Sequence, residues 1–334
     1  VSFEYVPRTD TPLIVGISGP SKSGKTGSAL ELTHGFQEIQ GGDIAMLDSE
    51  AGRGNHYQGM PLFSDKTKNF RYKYQEFGAP FSPETYTRKI EGAVKQGIKH
   101  LIIDSMSHLH EGPGGILEWH EQETERMAKA YGGTPEKHNL PAWAKPKLAL
   151  AHFRAFFTQQ KINLIFCFRA KEKLKVVPGQ KPQALGFQPI MSEDIVFEMI
   201  TSFLLYPGAK GVPVYDANEI DEKKLISIPE QFLGAFKDQS KGLSAWHGAR
   251  MAEWAVGRPV EPQPLPTATP ELMLKLSSSL ASSKDAAALK AAWNVIYKDR
   301  GTMDVAQFQQ LEELKNGVKA SFAPAATTPT GDAL

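Results

Sequence analysis

Residues 19–26 read Gly-Pro-Ser-Lys-Ser-Gly-Lys-Thr, and no other stretch of the chain restricts its fold as much. All eight positions match G-x-x-x-x-G-K-[ST]. An apolar run, 13–17, comes just before. After it, residues 26–39 carry Ala29, Leu30, Leu32, Phe36 and Ile39 at roughly helical spacing. A strand, a glycine-containing turn and a helix form the context in which such a loop wraps phosphate. The glycines let the backbone curl, and the amide N–H groups and the helix N-terminus face negative charge. Gly19, Ser21, Lys22, Ser23, Gly24, Lys25 and Thr26 are therefore the candidate phosphate-binding residues. Lys25 is expected to reach the β- and γ-phosphates of a nucleoside triphosphate, and the Thr26 hydroxyl to ligate Mg2+.

Four runs, 13–17, 44–47, 101–103 and 164–168, are near-continuously apolar, as strands covered on both faces are. Helical patterns at 26–39, 84–96 and 148–160 separate them, and a fifth strand is expected at 199–205. Strands alternating with helices predict an α/β fold with a mainly parallel central sheet. Its ligand groups belong at the carboxyl ends of the strands. Asp104 ends the run His100-Leu101-Ile102-Ile103-Asp104 and is the second candidate Mg2+ anchor, acting through water. The run 44–47 ends in Asp48-Ser49-Glu50. Either acid can orient or deprotonate an attacking water. Glu50 is favoured because it sits further out in the loop, whereas Asp48 can instead bond a nearby backbone amide. Arg169 follows the 164–168 run and is a candidate to sense the γ-phosphate or stabilise charge developing in transfer.

Composition adds exclusions. The 334 residues carry 38 basic and 37 acidic side chains, a formal charge of +1, so any nucleic-acid contact must come from a local patch. The single cysteine, Cys167, excludes an intramolecular disulfide and a CxxC zinc site, and points to a cytoplasmic protein. No apolar run approaches the ~18 residues of a membrane span, and the N-terminal residues carry no secretion-signal pattern. Five prolines fall in 258–270, which predicts a linker between an ATPase core at 1–257 and a small helical domain at 271–322. The helices of that domain are expected at 271–282, 283–298 and 304–322, with Ser283 and Thr302 as start signals. An Ala/Thr/Pro-rich tail, 323–334, is expected to be disordered.

These elements resemble, in order and spacing, the RecA-like P-loop ATPases. The segment LDSEAGR, 47–53, is similar to the strand end that carries that family's catalytic glutamate, which maps onto Glu50. LIIDS, 101–105, resembles its Walker B strand, whose aspartate maps onto Asp104. Arg169 falls where recombinases of the family carry a polar γ-phosphate sensor, usually glutamine, so the arginine is a departure. Arg169-Ala170-Lys171, then Gly186-Phe187-Gln188-Pro189, then an acidic strand from 194 to 205 resemble the RecA-like ATPases of bacteriophages, including their single-strand annealing ATPases. The resemblance covers about residues 10–215. It implies ATP and Mg2+ as cofactors, a ring or filament of identical subunits, single-stranded DNA as partner, and a single-strand-binding or other recombination protein as a further candidate partner in a bacterial host's cytoplasm.

The basic loop expected at 171–181 carries Lys171, Lys173, Lys175 and Lys181 against one acid, Glu172. In the family the chain resembles, such a loop grips single-stranded DNA, and these lysines are expected to neutralise its phosphates without reading sequence. Lys171 is alternatively a contact to a neighbouring subunit's ATP. His108, His110 and His120 lack the Cys or Asp cluster that a metal site needs. Trp119, Tyr131 and Trp143 are expected to pack rather than to stack bases.

Overall fold

A computed structural model describes residues 8–175, 183–216, 225–259, 268–298, 303 and 305–322. Its contacts divide the chain into two compact units, Val1–Pro262 and Gln263–Leu334.

The first unit is built on seven strands: β1 (Ile14–Gly19), β2 (Asp43–Asp48), β3 (Lys73–Glu76), β4 (Ile98–Asp104), β5 (Asn163–Lys175), β6 (Gln183–Pro189) and β7 (Thr201–Leu204). The sheet order is β3-β2-β4-β5-β1-β7, all pairs parallel, with β6 antiparallel to the outer half of β5. This is the α/β fold with a mainly parallel central sheet expected from the sequence. The strand ending in Asp104 is separated from the phosphate-loop strand by β5. Register then decides what meets at the carboxyl edge: Gly19 lies beside Arg169, and Asp48 beside Asp104.

Helices α1 (Lys25–Gln40), α2 (Pro83–Lys95), α3 (His108–Glu111), α4 (Ile116–Tyr131), α5 (Asn139–Ala142), α6 (Ala144–Phe157) and α7 (Glu193–Val196) follow the strands. α2 starts where chemistry dictates. Ser82 caps it by accepting from the Thr85 amide, Pro83 takes the first turn, and Lys95 sits in the last turn against the carbonyl end. Its Tyr86 and Ile90 join Phe153 and Phe157 of α6 in covering Leu101, Ile103 and Phe166 on one sheet face. On the other face, Leu30, Leu32 and Phe36 of α1 pack with Val15, Ile17, Phe203 and Met251.

Helix α1 is buried on nearly all sides, because the helix Ala245–Ala255 lies across its back. The two backbones touch. A methyl group on Gly35 would overlap the Ala245 carbonyl, and one on Gly248 the Leu32 carbonyl. Both glycines are there for close approach. The buried Glu31 carboxylate reinforces the contact by accepting from the amides of Phe63, Ser64 and Ala245.

Two sequence expectations need correction. The segment 171–181 is not a loop over its described part: β5 runs on to Lys175 and pairs with β6 as a hairpin arm. Lys181 and the Lys175 side chain lie outside the described residues. The acidic strand from 194 is instead the helical turn α7, and only Thr201–Leu204 is strand. Gly186–Pro189 belongs to β6.

The second unit has three helices, Pro270–Ala281, Ala286–Lys298 and Val305–Ser321, around Leu276, Leu280, Leu289, Ile296 and Leu311. Thr269 caps the first, with Pro270 behind it. The second starts at Asp285, whose carboxylate accepts from the Ala288 amide, and not at Ser283. Thr302, residues 260–267 of the linker and the tail 323–334 lie outside the described residues. Among the described residues no helix is long and apolar enough to cross a membrane.

Candidate nucleotide site

The phosphate loop leaves β1 at Gly19 and turns through two left-handed residues, Lys22 (φ 63°) and Gly24 (φ 103°), before Lys25 opens α1. Gly24 has no alternative. A side chain there would sit 2.5 Å from the Gly211 nitrogen, whose N–H donates to the Ser23 carbonyl at 3.0 Å. The segment after β7 is thus hydrogen-bonded to the phosphate loop. Lys25 is 9 % exposed and its ammonium donates to the Pro20 carbonyl at 2.8 Å. Burial lowers its pKa against the pull of Asp104. An amine so placed gains from any anion that enters.

Across β5, the Thr26 hydroxyl donates to Asp104 Oδ2 at 2.6 Å. Asp104 is 4 % exposed, and burial pushes its carboxyl up to about 6 despite the Thr26 hydrogen bond and Lys25. Two hard oxygen donors in contact, one an acid buried at a cost in the charged form, suit Mg2+. Thr26 and Asp104 would hold the ion, which supplies charge neutralisation at the phosphates.

The two acids after β2 part company. Asp48 is 2 % exposed and engaged through both oxygens: Oδ1 accepts from the Glu50 amide at 2.6 Å, and Oδ2 from the Gly54 amide at 2.7 Å and the Tyr74 hydroxyl at 2.8 Å. It shapes the loop that presents Glu50. Ala51 (φ 56°) and Gly52 (φ 80°) complete the turn in left-handed conformations, and the Ser49 amide ties it to the Asp104 carbonyl at 2.7 Å. Glu50 itself accepts from Arg169 through both oxygens, Nε to Oε1 and Nη2 to Oε2, each at 2.6 Å. Burial would raise its carboxyl, but the Arg169 hydrogen bonds and charge, with His108 and Arg53, hold it below the usual range.

The structure therefore gathers Ser21, Lys22, Gly24, Lys25, Thr26, Glu50, Asp104 and Arg169 around one cleft of about 680 Å³. Gly19 lies at its base, as the end of β1 beside Arg169. Lys171 and Lys173 stand outside it on the β5 arm, with Lys171 3.9 Å from Glu111. Sequence reasoning missed Arg53, Tyr57 and Glu111, which also line the cleft, and gave His108 no part beyond an improbable metal ligand. His108 Nδ1 bonds the Ser49 hydroxyl at 2.7 Å, directly before Glu50. The run LDSEAGR contains Arg53 but gives no sign that it faces the same cleft. Among the described residues no group of three or more His, Cys, Asp or Glu is placed to hold a metal, and His120 stacks on Trp143.

No protein-family model matches the chain. No curated protein matches it either. Among solved structures, a KaiC-like protein from the hyperthermophilic archaeon Pyrococcus horikoshii is similar, with 15% sequence identity over 58% of this chain and 71% of that one and a TM-score of 0.30.

Proposed function

We propose that the chain is a Mg2+-dependent ATPase, converting ATP and water to ADP and phosphate, that works on single-stranded DNA in recombination or strand annealing as a ring or filament. The observation that carries the hydrolytic part is the meeting of Thr26 and Asp104 at 2.6 Å beside the buried Lys25, with Glu50 in the same cleft. Lys25 holds the β- and γ-phosphates, and loop amides cradle them. Glu50, once free of Arg169, takes a proton from the water that attacks the γ-phosphorus, and the bond to the β–γ bridging oxygen breaks. Arg169 then offsets charge on the phosphoryl oxygens.

The DNA part is supported by the hairpin arm. Lys171 and Lys173 are exposed and share one face of β5 by strand alternation, about 7 Å apart. The arm begins at Ala170, next to the residue that grips Glu50. Steady-state ATP turnover with and without single-stranded DNA, in wild type and Lys25→Ala, tests both parts. We expect turnover that DNA stimulates and Lys25→Ala abolishes. Turnover surviving in Lys25→Ala would remove the phosphate site. Lys25-dependent turnover indifferent to DNA, with no DNA binding, would leave a nucleotide-gated regulator.

A further inference from the structure

The two side chains that the proposed reaction needs most are both engaged elsewhere. Glu50 has each carboxylate oxygen committed to Arg169, with Arg53 Nη1 at 3.6 Å from Oε2 as well. A base must offer a lone pair to water, and a carboxylate forked onto a guanidinium offers its best ones to the arginine. Lys25 is likewise parked, on the Pro20 carbonyl.

Arg169 is placed to change partners. Its backbone is fixed: its amide donates to the Ser107 hydroxyl at 2.8 Å, and it sits in register with Gly19 at the foot of the phosphate loop. Its side chain is 39 % exposed and lines the cleft with Lys25 and Thr26. A terminal phosphate held by Lys25 and the loop brings several anionic oxygens into that space. A guanidinium matches phosphate as well as it matches carboxylate. A diphosphate ends one phosphate short and offers no such competitor.

The geometry points to Arg169 as a positioning residue that exchanges partners: its two hydrogen bonds hold Glu50 off, and it releases Glu50 when the terminal phosphate of a nucleoside triphosphate takes the guanidinium. This rests on the ATPase reading above and adds to it a selection of triphosphate over diphosphate. Binding of a triphosphate then includes the breaking of the Arg169–Glu50 pair, and removing Glu50's charge spares that step.

A double-mutant cycle on binding tests the exchange without turnover. Affinities for the β,γ-imido analogue of ATP and for ADP, both with Mg2+, are measured by calorimetry for wild type, Glu50→Gln, Arg169→Gln and the double variant. Thermal melting confirms that each is folded. Glu50→Gln should bind the imido triphosphate about tenfold tighter than wild type and ADP within about twofold. In the Arg169→Gln background the same change should alter triphosphate affinity by less than about twofold. If Arg169→Gln does not fold, Arg169→Lys replaces it. That variant keeps the charge but loses the fork, and should reduce the gain from Glu50→Gln below about threefold. The exchange is overturned if Glu50→Gln tightens the triphosphate equally with and without Arg169, which is plain repulsion of phosphate by Glu50. It is also overturned if ADP gains as much, or if neither ligand gains. Lys25→Ala separates the two failures. If that variant loses the imido triphosphate while the cycle shows no coupling, only the exchange falls. If it binds as wild type does, the phosphate site falls with it.

Discussion

Asp48 and Glu50 are two residues apart and chemically alike, yet their neighbours give them opposite work. Asp48 is buried and accepts from three donors inside the protein, so it is closed off from attacking water. Glu50 faces the cleft. Glu50→Gln should bind ATP and turn it over about 10²–10⁴-fold more slowly, with an unchanged melting temperature. Asp48→Asn should instead lower stability by about 1–3 kcal/mol, because at least one buried amide or hydroxyl loses its acceptor. Single-turnover kinetics and thermal melts on the two variants check this, and a swap of the two phenotypes would reassign the base. How much of the site was legible follows the same division. Gly19–Thr26 and Asp104 are visible because each is a local pattern, a loop between strand and helix and an acid at the end of an apolar run. The Arg169–Glu50 pair joins residues 119 positions apart and exists only because the sheet order brings the ends of β2, β4 and β5 together. No spacing rule announces it.

At the level of elements, the covered strands were readable and the partly solvated ones were not. β1, β2, β4 and β5 each contain an apolar run. β3 is Lys-Tyr-Gln-Glu, four residues on the sheet edge, where charge and shortness guard against further pairing and erase the hydrophobic signal. β6 carries Gly186 at φ 68° and pairs only with the outer half of β5, so its pattern is weak as well. The opposite end of the sheet holds a buried polar lock. His100 bonds the Gly41 carbonyl at 2.7 Å and the Asn163 side chain at 2.9 Å, while Asn163 accepts from the Leu13 amide at 2.8 Å. Burial lowers the His100 pKa from 6.5 to about 4. The unfolded chain therefore binds a proton that the folded chain refuses. The stability that His100 contributes is present above pH 6.5 and is lost as pH falls towards 4, by up to about 3 kcal/mol. Chemical denaturation across pH 4–7.5 should show that loss, and it should be smaller in His100→Gln. For the proposed DNA contact, replacing Lys173, Lys175 and Lys181 with alanine should reduce the salt slope of single-stranded DNA binding by about 2 and leave basal turnover intact. An unchanged slope would place DNA elsewhere. Lys171 belongs in a separate variant because it neighbours Glu111 of the cleft.

Taken whole, the molecule has two compact units. The buried clusters of the first unit and that of the second share no residue, and every cleft residue lies before Met191. A chain ending at Gly257 should therefore fold and keep Lys25-dependent ATP turnover; a folded truncation unable to bind nucleotide would contradict the division. The backbone contact between α1 and the helix Ala245–Ala255 has a consequence of another kind, in time. Lys25, Glu50, Asp104 and Arg169 have all been synthesised when the ribosome reaches residue 169, but the helix that covers the back of α1 has not. The ribosome needs about 85 further residues, roughly 4–17 s at ordinary rates, to supply it. During that interval α1 carries the complete phosphate loop while the backbone surface around Gly35, with no side chain of its own, waits for Ala245 and Gly248. The nascent chain thus holds every group of the proposed reaction before it holds the helix that packs on α1, and the length of that interval is set by the distance between those two helices in the sequence.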